Sequence, residues 1–423
     1  MSWVLTSDAM EDSPVIPANN AATTMGTTPT AASATAHTQS IRILTINLFI
    51  RPPGIKTNAS DFKDARVQYV IDHVLPNYDV VCFQELFAFG SDRRARIIQA
   101  ARQLGYTHWY GSREQSLWNL AIDGGLLTIS RLPIVQTDAI RYPRGKYSDW
   151  LAAKGAIYTR IALQPTLHLH LFTTHTQASY APVLSLNDPT VVIRRKQFLM
   201  LHHFIRTKTQ SRPAGEPVLL LGDLNVDARV HDGTTENLTD TRSSEEYAAM
   251  LTILRGGGYD GPPGNANGRS PGASDLSLAP PLPFRDLVFD MLGYHPVTFG
   301  DVKVAEDGNL TPRDTVLTGS EAHCSCQRLD YALWIDGRAT HGASPRSNGK
   351  GPDDSTDSDS LKSSYSTPPP ASTTVIKPQR AIIVPILTEE IHPSDYFHQI
   401  SDHYGVGVEL DVTLPSGNAS PTE

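Results

Sequence analysis

Five polar clusters mark this chain, and four of them close an apolar run. Asn47 follows Ile41 to Ile46, Gln84-Glu85 follows Val80 to Phe83, and His175 follows Leu169 to Thr174. Asp223 with Asn225 follows Val218 to Leu221, and the fifth cluster is Ser401-Asp402-His403-Tyr404-Gly405. Apolar runs of this length read as buried strands, and polar groups at strand ends converge on one rim of a sheet. Such a rim offers hard oxygen ligands for a cation and leaves two imidazoles for proton transfer. Metal-assisted hydrolysis of a phosphoester needs that set.

Each residue has a bland alternative. Glu85 is the best metal candidate, because a carboxylate at the end of a buried strand is costly without a cation or donor; otherwise it is an exposed strand-end acid. Asn47 offers a neutral oxygen ligand, or else a turn or cap. Asp223 and Asn225 stand two apart, so an extended chain puts both on one face, ready to hold a metal-bound water and a phosphoryl oxygen. The alternative is an Asx-turn. His403 needs an acid to fix its tautomer. Its neighbour Asp402 points to the opposite face of a strand, so Asp330, in Arg328-Leu329-Asp330-Tyr331, is the better partner. Asp402 then faces the metal. His175 is the second imidazole, placed to donate to a phosphate oxygen or the leaving group. His202 and His203 fall in a helical pattern, and His168 and His170 alternate along a strand.

The elements that must position these groups alternate strand and helix. Helices are expected over 61–77, ended by Pro76; after Ser91 as cap, up to Gly105; over 191–207; and after a capping box of Ser243 and Glu246. Nine strand candidates exceed one open sheet, and two packed sheets with helices outside fit better. Residues 1–40, about 338–375 and 415–423 are too poor in aliphatic side chains to bury a core. They read as an N-terminal tail, an insertion and a C-terminal tail around one domain, 41–414. The 423 residues carry a formal charge of -8, which implies no broad basic face for nucleic acid. Three cysteines argue against a disulfide-built fold; Cys82 reads as a small core residue and Cys324 with Cys326 as a loop pair. No stretch approaches the roughly 20 apolar residues of a membrane span, and the start lacks a basic-then-apolar leader. The expectation is a cytoplasmic protein that meets membranes peripherally.

The ordered set Asn47, Gln84-Glu85, His175, Gly222-Asp223-Leu224-Asn225, Asp330 and Ser401-Asp402-His403 resembles the endonuclease/exonuclease/phosphatase superfamily. Asp123-Gly124-Gly125-Leu126, the loop Asp149-Trp150-Leu151-Ala152-Ala153-Lys154-Gly155, and Thr174-His175-Thr176-Gln177 resemble its neutral sphingomyelinase branch. The resemblance implies a DNase I-like four-layer α/β sandwich, two packed, mainly antiparallel sheets flanked by helices. It implies a phospholipase C reaction on sphingomyelin or a related phosphosphingolipid, giving ceramide and a phosphorylated head group. Glu85, Asn47 and Asp402 would hold magnesium, with manganese the second choice. Asp223 and Asn225 would position water and phosphoryl oxygens, His403 on Asp330 would be the base, and His175 would serve the departing oxygen. Lys154 would bind phosphate, the alternative being a solvated loop lysine. Trp150-Leu151 is either an interfacial anchor or core. The competing functions are a nuclease on the same scaffold and an inactive lipid- or protein-binding relative.

Overall fold

The computed structural model describes residues 38–58, 60–113, 122–179, 185–232, 237–258, 281–337, 375–388 and 397–413. Most of the expected N-terminal tail, the insertion and the C-terminal tail lie outside these residues. The first strand, β1 (Thr38–Ile50), shows how the layers arise. Ile41 and Ile43 point to one face and pack with the second sheet; Leu44, Ile46 and Leu48 point to the other and pack on helices. Both faces are apolar because both are covered.

Sheet one runs in the order β13 (Val375–Val384), β14 (Gly405–Thr413), β1, β2 (Val80–Leu86), β4 (Leu127–Ser130), β3 (His108–Gly111). Sheet two runs β5 (Ile134–Arg141), β6 (Gly155–Gln164), β7 (Leu167–His175), β8 (Val218–Asp223), β12 (Asp330–Ile335), β9 (Arg285–Asp286). Among the strand pairs of the described residues only β1–β2 and β7–β8 are parallel, so the sheets are mainly antiparallel, as expected. A separate hairpin joins β10 (Val302–Val304) to β11 (Leu310–Pro312). Between the sheets lie Ile41, Val80, Cys82, Leu171, Leu219, Leu221, Ala332 and Trp334. Outside sheet one pack α1 (Lys63–Tyr69) and α2 (Arg93–Gln103); outside sheet two pack α3 (Pro189–Thr209) and α4 (Glu245–Leu254). A short α5 (Leu287–Leu292) lies beside β12 and β13.

Several local expectations need correction. The first helix starts at Lys63, because Phe62 is left-handed, and passes from α through π (Val70–Val74) to 3-10 geometry (Leu75–Asn77). Asp92, not Ser91, precedes α2, and it makes no side-chain cap. Ser244, not Ser243, caps α4 through Tyr247 N, while Glu246 pairs with Arg194. Residues 38–40 belong to β1, paired with Asp411–Thr413, and Val375 opens β13. No described helix is long and apolar enough to cross a membrane.

Candidate active site

The site lies where the inter-sheet face turns polar. On β7, β8 and β12 the inward residues are Leu169 and Leu171, Leu219 and Leu221, and Ala332 and Trp334. The same period of two carries that face to His175, Asp223 and Asp330. The register sets them in one row: His175 pairs with Asp223, and Asp223 with Asp330. On β1 the period from Ile41 and Ile43 ends at Asn47. On β2 it ends at Gln84, whose amide bonds Thr45 at 3.0 Å.

Glu85 is out of step with that period. It reaches the site because its φ is 52°, a left-handed conformation rare for a residue with a Cβ. The β1–β2 register slips between Asn47 and Ile50, and Phe49 (φ 52°) is left-handed too. This is a bulge that re-aims a side chain next to a reaction centre. A Cβ on Gly125 would stand 3.0 Å from Glu85 Cα, and its φ is 66°, so glycine lets the chain leading into β4 approach that turn. Asn225 is the third left-handed site residue, at φ 50°.

Asn47 Nδ2 donates to Glu85 Oε1 (3.2 Å) and Asp223 Oδ2 (3.0 Å), while its Oδ1 accepts from Phe49 N. Asn47 thus bridges two carboxylates through its amide nitrogen, and Phe49 N takes one of the two lone pairs of its oxygen. Asp223 Oδ1 accepts from Asn225 N at 2.9 Å, so the Asx-turn and the functional placement coexist. Asn225 Nδ2 goes to Thr176 O, 3.1 Å. His403 Nδ1 meets Asp330 Oδ2 at 2.8 Å, as the sequence pairing required, and its Nε2 stands 3.8 Å from Asp223 Oδ2. His175 Nε2 lies 3.4 Å from Asp223 Oδ2 and 3.9 Å from Glu85 Oε1. Asp402 accepts from Ser401, whose hydroxyl also ties the segment to Asn47 O. Lys154 is not a solvated loop lysine. It is buried, with Nζ 2.9 Å from Asp149 Oδ2 and 2.7 Å from Thr176 O, and it lines the same cleft. Trp150 and Leu151 are 47% and 46% exposed, which excludes the core alternative.

The charges here are unevenly offset. Burial, with Asp330 adding and His403, Lys154 and Asn47 opposing, raises Asp223 to about 6. Burial, with Glu85 adding and His403, Arg51 and Arg66 opposing, raises Asp402 to about 7. Burial and then the charges of Lys154 and His403 hold His175 well below its ordinary value, so it is neutral. Burial alone would lower His403, but Asp330 and Asp223 outweigh it and raise it to about 10. In that state His403 is a proton donor; acting as a base requires Asp223 and its neighbours to be offset by positive charge.

An all-oxygen set short of positive charge fits a hard divalent cation. Glu85 opens to the cleft beside Asp402, with Asn47 behind it. Asp223, Asp330 and His403 also bring one ligand atom each within 4.8 Å of one another. Two of these three are tied to each other through His403 Nδ1 and Asp330 Oδ2, so Glu85 and Asp402, which line the cleft, are the better candidate holders.

Residues 57–403 match the model of the Endonuclease/Exonuclease/phosphatase family. The chain belongs to this family. A sphingomyelinase of Dictyostelium discoideum is 28% identical over 89% of this chain and 99% of that protein. Sphingomyelinase C of Bacillus cereus is 26% identical over 54% of this chain and 67% of its own length. The crystal structure of sphingomyelinase C from Streptomyces griseocarneus has a TM-score of 0.50 at 18% identity, covering 88% of this chain and 99% of that one, which shows a shared fold. The chain is thus a sphingomyelinase-like member of the family.

One residue that frames the site, Arg66, escaped the sequence reading, and Asp123 was read there only as part of a motif. Arg66 is fully buried and donates to Leu48 O, Phe49 O, Asp61 O and Ile400 O. It clamps the end of β1 to the chain before Asp402. A signal existed, since Phe62, Arg66 and Val70 share one helical face that is otherwise apolar. Asp123 holds the other side, accepting from Ala88 N, Phe89 N and Gly125 N just beyond Glu85.

Proposed function

We propose that this protein is a divalent-metal-dependent phosphodiesterase of the phospholipase C type, cleaving sphingomyelin or a related phosphosphingolipid to ceramide and a phosphorylated head group. The observation that carries the reading is the His403–Asp330 pair at 2.8 Å, set beside Asp223 and His175 on the floor of a cleft. The relatives that match over most of the chain bear the name sphingomyelinase.

Magnesium, or manganese in its place, held by Glu85 and Asp402 with Asn47 adjoining, would supply charge to polarise the phosphodiester and to offset the buried carboxylates. Asp330 holds His403 through Nδ1 and leaves Nε2 to take the proton of the attacking water. Asp223 and Asn225 orient that water and a non-bridging oxygen. His175 is neutral, so it serves the departing oxygen as a hydrogen-bond donor rather than as a strong acid. Lys154, fixed by Asp149, keeps one ammonium hydrogen beyond its bonds to Asp149 and Thr176 for phosphate. Exposed Trp150 and Leu151 reach toward the headgroup level of a membrane.

A nuclease would line its cleft with several Lys and Arg. Here Arg51 and Lys154 face Glu85, Asp149, Asp223, Glu321 and Asp402, which disfavours a polyanion. The deciding experiment presents purified protein, with magnesium and then with EDTA, to sphingomyelin, inositol phosphosphingolipid, lysophospholipid and plasmid DNA. Magnesium-dependent release of ceramide is expected. Cleavage of DNA alone, or of nothing, refutes the reading.

A further inference from the structure

The cleft measures about 430 Å³, more room than a phosphodiester alone fills. Four residues of its lining play no role in the chemistry above: Arg51 and Thr57 from one segment, Glu321 and Gln327 from another. Asn58 ties these segments together by donating to Val316 O.

Arg51 is held from behind. Its Nη2 donates to Asp61 Oδ2 and Thr57 Oγ1, both at 2.8 Å, and its guanidinium lies 3.8 Å over the Phe49 ring. Burial pushes Asp61 up, but the bond and charge of Arg51 and the charge of Lys63 outweigh it and hold the carboxylate ionised. Among the described residues Arg51 donates only through Nη2. Nε is sealed without a partner, whereas Nη1 is not sealed and has no protein acceptor. The side chains of Glu321 and Gln327 likewise make no hydrogen bond among the described residues, and no ion pair joins Glu321 to Arg51. The lining therefore presents a fixed donor, a carboxylate acceptor and an amide that can be either, all unused.

This pattern discriminates between head groups. A trimethylammonium ion has no donor or acceptor; it binds to aromatic faces and carboxylates. Here a cation already covers one face of Phe49 and would stand against it. The amide and guanidinium would lose water and gain nothing. A ring of hydroxyls gives each group a partner, and sites built to bond hydroxyls reject analogues that lack them.

We propose that Arg51, Glu321 and Gln327 form a head-group subsite for a cyclic polyol, so that the preferred substrate is an inositol-type rather than a choline-type phosphosphingolipid. The proposal rests on the phosphodiesterase reading and names the substrate class of that same site.

The test compares kcat/KM for inositol phosphosphingolipid and for sphingomyelin in mixed detergent micelles with magnesium. Wild-type protein is expected to favour the inositol lipid by at least about 10-fold. Arg51→Met should lower that ratio by roughly 10-fold or more, as losing a charged hydrogen-bond donor predicts. Glu321→Gln, on an exposed side chain whose replacement leaves the core untouched, should lower the same ratio. Calorimetric titration of wild type should show inositol 1-phosphate binding more tightly than phosphocholine. Equal or better use of sphingomyelin by the wild type, or equal losses on both lipids in the variants, overturns the subsite and leaves the functional reading standing. Turnover of neither lipid overturns both.

Discussion

Replacing Asp330 by Asn tests the dyad most sharply. Asp330 is 1% exposed, its Oδ2 lies 2.8 Å from His403 Nδ1, and its Oδ1 has no partner among the described residues. Asparagine keeps the shape and still offers an oxygen to Nδ1, so the imidazole loses a charge rather than its contact. A charge-assisted hydrogen bond contributes about 1.5–3 kcal/mol. At about 1.36 kcal/mol per tenfold in rate, kcat should fall by one to two decades. His403→Ala removes the proton acceptor itself and should cost about two to four decades. The two residues act as one unit, so the double variant should be no slower than His403→Ala alone. The imidazole gives a second readout. Asp330 is the largest influence raising His403 to about 10, so Asp330→Asn should lower its titration midpoint, seen by NMR of the ring protons. Rates on a short-chain soluble substrate at saturating magnesium avoid any contribution from membrane binding. An unchanged kcat for Asp330→Asn, or losses that multiply in the double variant, would refute the pairing as a working unit.

Glu85→Gln keeps the volume of the turn at φ 52° but halves the candidate ligand pair's charge; the magnesium concentration for half-maximal activity should rise strongly, and wild-type rates at low magnesium would remove Glu85 from the metal site. Trp150→Ala should leave the thermal midpoint nearly unchanged, since the ring is 47% exposed, yet reduce turnover on vesicles more than on a soluble substrate; equal effects on both would remove the membrane contact. Away from the site, Glu216 is buried and bonds Arg160, His168 and His170. Burial raises its carboxyl, but those three bonds outweigh it and hold it below 4.5. Its stabilisation is therefore full above that ordinary value and drains away as pH falls through the folded one. Glu216→Gln should destabilise by about 3 kcal/mol at neutral pH, as breaking a buried pair does, and denaturation curves of variant and wild type should converge in acid.

The fold class was legible because the core strands are long and apolar. Leu167–His175 and Val218–Asp223 bury every or nearly every side chain, and such runs have few other uses. The strands that were missed bury little. Ile134–Arg141 and Val302–Val304 have mostly exposed or half-exposed residues, so edge pairing rather than local pattern makes them strands. The caps shifted by one residue for a similar reason: adjacent serines, or Ser91 and Asp92, are equivalent until the helix direction is known.

What the sequence determined by itself was which polar side chains end the buried strands. A strand period of two, read from its apolar members, marks Asn47, His175, Asp223 and Asp330 as the polar ends of one inner face, and that rule is local. What only the tertiary structure decided was how those ends act on one another. Glu85 lies off the period and enters through a left-handed turn made where β1 and β2 slip register. Lys154 could be solvent-facing or buried until the loop closed it onto Asp149 and Thr176. Asn47 could offer oxygen or nitrogen until two carboxylates from different sheets claimed its N–H. Backbone periodicity needs only near neighbours in the chain. Charge, burial and hydrogen-bond direction depend on groups up to 176 positions away, and they exist only once the two sheets have met.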